Sequence, residues 1–416
     1  MKDKIILFHP CRSIGGTEIL LTDTVLLYKE NNDIDLYLVD YIDGANKKIL
    51  DNSNIEYQFL NYFEKKIWSE LIVDSIVFST SRNLIGLYND IMKIKKELRF
   101  KLFLWVLHPK DLYARFLPGY DKLQNLFGYN GASLVCKLYP FYRSYKKLLL
   151  DLDEKDILYF MDYQTLEETE LMFDFKLNKR NILYFPAKMY SNIPIATINT
   201  VDRSKVAIVS RLDDMKVAAI LKLMEDLVGK QKKIFIIGYG SKTELIKKYA
   251  IYLELDIIFL GEMNRFDIRN FLLTNNISLL YAMGMSIFEG ISIGIPTIVL
   301  RPSEHKIEKN NVYYIFGFNN KIIFGEFYKF PSKINYLSYD NVEKIIENNW
   351  EGLSLNSLYL FDKNFSTNSF YLKIKYIVNN MQYISLSVDK SEIKFVKYLR
   401  CIFNIVQRLR NRKYDY

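Results

Sequence analysis

The chain has 416 residues, half of them hydrophobic, and a formal net charge of +9 at pH 7. This length predicts two or three domains' worth of core, and the hydrophobic content excludes an intrinsically disordered protein. The cysteines, Cys11, Cys136 and Cys401, lie far apart, which argues against a disulfide framework and favours a reducing compartment. The apolar stretch at the start is too short for a signal peptide, and no segment offers the roughly 18 apolar residues of a spanning helix.

The basic charge suits nucleic acid, an anionic membrane surface or a phosphorylated ligand, and composition does not choose among them.

In chain order, Lys4–Pro10 predicts a short strand, Gly15 and Gly16 a turn, and the segment after them an amphipathic helix. Ile34–Tyr41 predicts the next strand. Further buried strands are predicted at SIVFSTS, FKLFLWVLHP and DILYFMD. A strand, glycine loop, helix and strand in this order are typical of a parallel α/β sheet.

Residues 181–204 combine prolines with polar residues and lack a clear period, which predicts a linker. A second α/β series follows. Its predicted strands are KVAIVSRL, KIFIIGYG, DIIFLGEM and ISLLYAM, with amphipathic helices between them. Strands and helices that alternate through short loops indicate a doubly wound fold.

The segment LLYAMGMSIFEGISIGIPTIVL places one charged residue, Glu289, in an apolar run. Gly284 follows a predicted strand and opens a predicted helix, while Gly294 and Pro296 end that helix. The N-terminus of a helix favours a bound phosphate, and a carboxylate in its first turns can accept hydrogen bonds from ribose hydroxyls. Alternatively, Glu289 caps its own helix or points to water.

Other predicted loops at strand ends carry compatible residues. SRLDDMK places Arg211 and Lys216 just beyond a strand, where a guanidinium fork and a mobile ammonium suit phosphate oxygens. A solvated pair of loop cations is the alternative. IIGYGS provides Gly238 and Gly240, which would allow a ligand to approach the backbone closely, and FLGEM brings Gly261 to the next strand end. Open α/β sheets bind ligands at the carboxyl ends of their strands.

With these residues, the second half resembles the donor domain of retaining GT-B glycosyltransferases of the large family 4, or group 1, type. Arg211 and Lys216 match the family's pattern of Arg, four residues and Lys, and Glu289 matches the second Glu of its E-x7-E signature. The resemblance implies that the cations bind the donor diphosphate and that Glu289 binds the ribose. It assigns donor binding to Gly15, Gly16, Gly238, Gly240, Gly261, Met263, Tyr281, Gly284, Met285, Ser286 and Glu289.

The segment before Glu289 departs from the family pattern. The residue eight positions before Glu289 is Tyr281, where the family has the Glu that contacts the transferred sugar. AMGMS also replaces the usual Glu-Gly-Phe-Gly run, as in a subgroup that builds polysaccharides. Backbone groups of Met285 and Ser286, or the phenol of Tyr281, would then replace the missing sugar contact.

The N-terminal GGTE, with Gly15 and Gly16, resembles the glycine loop that faces the donor from the other domain. His108 ends a predicted strand, and the resemblance implies that it lines the cleft, where it could share a proton with an acceptor hydroxyl. The other interpretation of His108 is structural, at a turn before Pro109. His9 is a weaker candidate for this role, and His305 is predicted at the surface.

No metal site is predicted, because no His, Cys or Asp group has metal-ligand spacing. The predicted catalytic residues are Arg211, Lys216, Glu289 and His108.

The resemblance predicts an α/β chain of GT-B fold, with two Rossmann-like doubly wound domains that face each other across a cleft. The predicted divisions are an acceptor domain at 1–195, a donor domain at 196–360, and a return helix with a basic amphipathic tail at 361–416. Within the last division, 365–377 would cross back to the first domain. Residues 386–416 either bind an anionic membrane surface or pack on the protein body.

The expected function is a retaining, metal-independent transfer of a sugar from a nucleotide-diphosphate donor to a hydroxyl of a bacterial surface glycan precursor. The donor would be UDP- or GDP-linked, the acceptor lipid-linked or an oligosaccharide, with no other cofactor and no nucleic acid partner. A cytoplasmic enzyme, peripheral on the inner face of the plasma membrane, is expected. The alternatives are a non-catalytic GT-B subunit that partners an active transferase, and a sugar-nucleotide epimerase.

Overall fold

The computed structural model describes residues 2–84, 86–87, 90, 98–108, 111–112, 120–138, 142–187, 195–196, 201–303, 313–318, 322–325 and 337–385. The chain forms two compact units. Unit 1 comprises Met1–Pro186 and Thr367–Tyr416, and unit 2 comprises Ala187–Ser366. Each unit contains its own mainly parallel sheet and several helices, which confirms the predicted α/β class with two Rossmann-like domains.

Unit 1 is built on a seven-stranded sheet. Its strands are β1 (Asp3–Phe8), β2 (Ile34–Asp40), β3 (Gln58–Asn61), β4 (Ile76–Thr80), β5 (Arg99–Val106), β6 (Leu158–Phe160) and β13 (Ile384–Ser385). The order is β13-β5-β4-β1-β2-β3, with β6 also paired to β5. Only β13 runs antiparallel among these described pairs. The carboxyl ends of the parallel strands therefore share one edge.

The helices of unit 1 cover this sheet. They are α1 (Gly16–Asn31), α2 (Ala45–Asp51), α3 (Lys65–Leu71), α4 (Tyr120–Lys137), α5 (Tyr142–Glu154), α6 (Tyr163–Phe173) and α12 (Thr367–Asn380). In α12, Phe370, Ile374 and Val378 repeat every four residues and are buried, which forms one apolar face. Phe370 stacks on Trp105 with ring centroids 6.0 Å apart, so the helix packs within unit 1.

Unit 2 is built on a six-stranded sheet. Its strands are β7 (Asp202–Val209), β8 (Lys233–Ile237), β9 (Ile257–Gly261), β10 (Ile277–Ala282), β11 (Thr297–Val299) and β12 (Tyr314–Ile315), in the order β12-β11-β10-β7-β8-β9. All these pairs are parallel except β11 with β12. The loops that follow β7, β8, β9 and β10 therefore meet at one edge.

The helices of unit 2 are α7 (Asp214–Leu227), α8 (Thr243–Tyr252), α9 (Arg265–Thr274), α10 (Phe288–Ile291) and α11 (Tyr339–Phe365). A 3-10 turn, Gly284–Ile287, leads directly into α10. Phe288 of this short helix packs edge-on against Phe365 at 4.9 Å between ring centroids. This contact fixes the segment that carries Glu289 against the end of α11.

The division between the units lies at Pro186 and Ser366, where boundaries at 195 and 360 were expected. Ile182 still pairs with Phe160 of β6, so the chain remains in the first sheet beyond residue 181. The amide of Ala187 donates to the carbonyl of Phe365 at 2.8 Å, which ties the two ends of unit 2 together. Helix α11 therefore continues to Phe365 because its last turn belongs to this aromatic core.

The predicted long strands are present, but β3, β12 and β13 were missed. They contain four, two and two residues, too few to show a period in the sequence. In the described part of the chain, no helix is both long and apolar enough to cross a membrane. The basic tail at 386–416 and His305 lie outside the described residues.

Candidate functional site

The predicted diphosphate ligands lie just beyond β7. Nε of Arg211 donates to Oδ2 of Asp213 at 2.6 Å, and the Arg211 side chain is 73% exposed. Lys216 is half-buried in the first turn of α7. Burial lowers the pKa of Lys216, while Asp213 opposes this shift and the charge of Arg211 adds to it. Two neighbouring cations, one of them desolvated, form a favourable place for an anion.

The glycines after β8 pack closely against the loop after β7. Gly238 has φ +141°, and a Cβ on it would lie 1.9 Å from the carbonyl oxygen of Ser210. A Cβ on Gly240 would lie 2.2 Å from the carbonyl oxygen of Leu212. The amide of Leu212 also donates to the carbonyl of Tyr239 at 3.1 Å. The close approach is therefore between two loops of the protein, and it fixes the loop that carries Arg211.

Gly261 ends β9 with φ +73°, and its carbonyl accepts from the amide of Gly238 at 2.7 Å. Met263 is half-buried in the short loop that leads to α9. These contacts place the loop after β9 beside the loop after β8. Gly261 is needed here for its left-handed backbone conformation, which glycine adopts without strain.

The turn after β10 provides backbone donors. Gly284 has φ +62°, and its amide donates to the carbonyl of Phe324. Met285 and Ser286 are half-buried in the 3-10 turn. The first amides of a helical segment have no acceptor within that segment, so Met285 and Ser286 are the groups this turn offers to an anion.

Glu289 is buried and paired with arginines of α9. Its Oε2 lies 3.4 Å from Nε of Arg269, and its Oε1 lies 3.8 Å from Nε of Arg265. The side chains of Glu289 and Arg269 are each 3% exposed, whereas that of Arg265 is 34% exposed. The carboxylate is therefore held by a buried counter-charge, with a more accessible arginine beside it. Neither arginine was predicted from the sequence to be a site residue. Their spacing of four residues, in the helix that follows FLGEM, nevertheless places them on one helix face.

The prediction that Tyr281 contacts the donor sugar is wrong. The side chain is 0% exposed and lies in the core of unit 2. Its hydroxyl forms a hydrogen bond with the hydroxyl of Tyr339 at 3.1 Å. Successive side chains of a strand point to opposite faces, and Tyr281 shares the core face with Leu279. The phenol therefore stabilises the packing of α11 on β10.

In unit 1, the predicted residues follow β1 and β5. Gly15 precedes α1 with φ −144°, which any residue adopts, and a Cβ on it would lie 3.0 Å from Oε2 of Glu18. A Cβ on Gly16 would meet no described atom within 4 Å. His108 is half-buried just beyond β5, and its carbonyl accepts from the amide of Asp111 at 3.0 Å.

A buried cluster beside Gly15 was not foreseen. Nε2 of His9 lies 3.0 Å from Oε1 of Glu18, and both residues are buried. The ligand atoms of His9, Cys11 and Glu18 all lie within 4.8 Å of one another. In the sequence, this cluster corresponds to H-x-C followed by the Glu of GGTE. The pattern does not predict the cluster, because the three side chains come together only when β1, the loop after it and the first turn of α1 have folded.

The three groups in this cluster shift one another's pKa. Burial tends to lower the pKa of His9, but its bonds and charge interactions with Cys11 and Glu18 raise it overall. Burial tends to raise the pKa of Glu18, yet the hydrogen bond from His9 and other contacts lower it to about 2. The hydrogen bond with His9 is the main reason why the pKa of Cys11 is lowered. The cluster therefore favours a carboxylate beside a protonated imidazole.

Residues 195–311 match the family model of glycosyl transferases group 1. This range contains Arg211, Lys216, Glu289 and the paired arginines Arg265 and Arg269. The match therefore covers the strand-end loops of unit 2 at which the candidate residues meet. No curated protein matches the chain.

Solved structures with a similar fold extend over both units. The apo form of the lipopolysaccharide outer core galactosyltransferase WaaB is 14% identical, with 92% of this chain and 100% of that chain covered and a TM-score of 0.57. A glycosyltransferase from Rickettsia africae ESF-5 is 15% identical, with 91% and 99% covered and a TM-score of 0.57. Anabaena Alr3699/HepE in complex with UDP-glucose is 12% identical, with 90% and 99% covered and a TM-score of 0.53. At these identities the likeness establishes the fold alone. The family match and the shared architecture show that this chain resembles the GT-B glycosyltransferases of the group 1 type.

Proposed function

We propose that this chain is a retaining glycosyltransferase that moves a sugar from a nucleotide-diphosphate donor to a hydroxyl of a bacterial surface glycan precursor, such as capsule, lipopolysaccharide or exopolysaccharide. The observation that carries the proposal is the edge of the unit 2 sheet. There, the loops after β7 and β10 bring Arg211, Lys216, the Gly284–Ile287 turn and Glu289 to the carboxyl ends of adjacent parallel strands.

Arg211 and Lys216 would bind the diphosphate and neutralise its charge as it leaves the sugar. Stabilising charge where it develops in the transition state is a large catalytic contribution, and it needs no metal when cations are already in place. The exposed guanidinium of Arg211 can exchange Asp213 for a phosphate without losing a buried bond. The backbone amides of Met285 and Ser286 would add donors to the same oxygens.

Glu289 would accept the hydroxyls of the donor ribose. Arg269 lies 3.4 Å from this buried carboxylate, and charged acceptors form stronger hydrogen bonds than neutral ones. Arg265, at 3.8 Å and partly exposed, lies where a nucleotide could meet it. The UDP-glucose complex of Alr3699/HepE, a protein of similar fold, supports a nucleotide sugar as the donor class.

Retention of configuration and the role of His108 rest on the family resemblance. In this proposal His108 lines the acceptor side, where its imidazole could share a proton with the attacking hydroxyl. The galactosyltransferase WaaB, which acts on the lipopolysaccharide outer core by its name, supports a surface glycan as the acceptor class.

A second candidate function is a non-catalytic GT-B subunit that partners an active transferase. The observation that favours it is the burial of Tyr281, which occupies the place of the family's sugar-binding Glu and faces the core. Such a subunit could keep nucleotide binding while lacking the sugar contact required for transfer.

The deciding experiment combines binding and turnover. A panel of UDP- and GDP-sugars is screened by thermal shift, where a donor at a hundred times its Kd stabilises the protein by about 2.7 kcal/mol. The donor that binds is then tested for hydrolysis and for transfer to lipid-linked and oligosaccharide acceptors, and the anomeric configuration of the product is read by NMR. Donor binding without turnover would favour the non-catalytic subunit, and an inverted product would contradict retention.

Metal independence is tested on the donor site itself. The affinity for free nucleoside diphosphate should agree within about twofold between EDTA and Mg²⁺ or Mn²⁺, because fixed cations replace the metal. A large gain on adding Mg²⁺ would mean that a metal carries the diphosphate charge.

We also propose that residues 386–416 bind an anionic membrane surface. Their basic and apolar residues alternate at helical spacing, which suits an interfacial helix. A chain ending at residue 385 should keep its fold and donor binding but no longer sediment with anionic vesicles, and added salt should weaken binding of the full chain. Unfolding of the shortened chain would instead assign the segment to the core.

A further inference from the structure

The cluster of His9, Cys11 and Glu18 in unit 1 offers three different metal-ligating atoms at one point. The imidazole, thiol and carboxylate come from the end of β1, the loop after it and the first turn of α1. His9 is 1% exposed and Glu18 is 3% exposed, while Cys11 is half-buried. Nothing in the proposed transfer reaction uses this group of side chains.

We propose that His9, Cys11 and Glu18 form a zinc-binding site. A nitrogen, a thiolate and a carboxylate oxygen are the three ligand types that zinc takes in proteins. Three protein ligands leave a fourth tetrahedral position for water or another group. The half-buried Cys11 provides the side from which the ion enters.

The geometry is close to that of a bound ion. With zinc–ligand bonds of about 2.0–2.3 Å in a tetrahedron, ligand atoms lie roughly 3.3–3.6 Å apart. Nε2 of His9 and Oε1 of Glu18 are 3.0 Å apart, and all three ligand atoms fall within 4.8 Å of one another. Movements of about an ångström, which side-chain torsions supply, would convert the cluster into a coordination shell.

The surroundings of His9 allow the required tautomer. Its Nδ1 lies 3.1 Å from Oγ1 of Thr80 and 2.6 Å from the side-chain amide of Asn83. When Nδ1 carries the proton, it donates to the Thr80 hydroxyl oxygen or to the amide oxygen of a flipped Asn83. On binding, the proton that Nε2 shares with Glu18 and the thiol proton of Cys11 both pass to solvent, and Nε2 presents its lone pair to the ion.

The backbone on both sides of the cluster is held by buried groups. Oδ1 of Asp40 accepts from the amide of Cys11 at 2.9 Å, and Nδ2 of Asn46 donates to the carbonyl of His9 at 2.7 Å. Asp40 and Asn46 are both 0% exposed. The ligands are therefore positioned before the ion arrives, as metal sites require.

The first experiment uses the wild-type chain with Co²⁺ as a spectroscopic substitute for Zn²⁺. A thiolate-to-cobalt absorption band should appear at one equivalent of Co²⁺ and disappear when Zn²⁺ displaces it. Cys11→Ser should abolish the band, and the matched variant Cys136→Ser should keep it. A band that survives Cys11→Ser, or no band at all, would overturn the proposal.

A second experiment avoids any substitution. Wild-type protein is alkylated with iodoacetamide in the presence of Zn²⁺ or of EDTA, and each cysteine is quantified by peptide mass spectrometry. Zn²⁺ should protect Cys11 and leave the alkylation of Cys136 and Cys401 unchanged. Equal alkylation of Cys11 in both conditions would mean that the His9–Glu18 pair only joins β1 to α1.

A third measurement tests the groups around the ligands. Asn83→Ala removes a partner of Nδ1 without touching a ligand, and loss of such a partner weakens metal binding by about tenfold to a hundredfold. Competition with a chromophoric zinc chelator measures this change. Asn31→Ala is the matched control. Asn31 lies at the far end of α1, where its side-chain amide donates to the carbonyl of Leu27 at 2.8 Å, and this variant should bind Zn²⁺ like wild type. Equal affinity in Asn83→Ala and wild type would contradict the assigned role of Nδ1.

Discussion

The Oε2 atom of Glu289 lies 3.4 Å from Nε of Arg269, and each side chain is 3% exposed. A carboxylate in an apolar run has thus found a buried counter-charge on the neighbouring helix α9. Such a pair can serve stability, ligand binding or both. Variants that separate affinity from the free energy of unfolding distinguish these roles.

Glu289→Gln keeps the shape of the side chain and removes its charge. If the carboxylate binds ribose, losing a charged hydrogen bond should weaken donor binding by roughly 1.5–3 kcal/mol, or about tenfold to a hundredfold. Isothermal titration should show the same loss for the sugar nucleotide and for the free diphosphate, because both contain the ribose. Unchanged affinity with lowered stability would reduce Glu289 to a structural partner of Arg269.

Arg269→Met should destabilise the protein strongly, because it removes the buried counter-charge of Glu289 and leaves the longer, more exposed contact with Arg265. Removing one partner of a buried pair costs about 3–5 kcal/mol, which urea denaturation can measure. The matched control is Arg265→Met, whose longer and more exposed contact should be worth less than about 1 kcal/mol. Similar losses in the two variants would contradict the central position of Arg269.

Lys216→Met should lower the affinity for nucleoside diphosphate by about tenfold to a hundredfold, since a bond between ammonium and phosphate is charge-assisted. Lys233→Met removes a matched cation at the start of β8, the opposite edge of the same sheet, and should bind like wild type. Fluorescence titration with the diphosphate measures the affinity of both variants. Equal losses would show that net charge, and not a local site, attracts the ligand.

The lowered pKa of Lys216 predicts a pH dependence. As pH rises, Lys216 loses its proton at a lower pH than an ordinary lysine does. The affinity for the diphosphate should therefore begin to fall at a pH below the usual lysine pKa. Lys216→Arg retains its charge throughout this range and should shift the decline to higher pH. If the affinity–pH curves of wild type and Lys216→Arg superimpose, Lys216 does not contact the diphosphate.

Gly238→Ala should destabilise unit 2 by at least about 1–3 kcal/mol, because φ is +141° and the new Cβ would collide with the carbonyl of Ser210. Gly16→Ala is the control, because its Cβ meets no described atom within 4 Å. Its effect should stay below about 1 kcal/mol. Chemical denaturation compares the two, and a neutral Gly238→Ala would show that the loops can separate.

Local pattern was sufficient to predict most of the architecture. Alternating apolar strands and amphipathic helices indicated two α/β series, and the order of the loops at strand ends led to Arg211, Lys216 and Glu289. Very short strands such as β12 and β13 were missed because two residues show no period. Strand β13 also pairs with β5, which is distant in sequence.

The residues themselves determined which side chains stand at strand ends, because strand and helix periods are properties of consecutive residues. Only the tertiary structure decided what those side chains contact. In that structure, Tyr281 lies in the core against Tyr339, and Glu289 pairs with Arg269. His9 and Glu18 lie within hydrogen-bonding distance of each other. Burial and ion pairing depend on distances between elements, and the packing of helices on the sheet sets those distances.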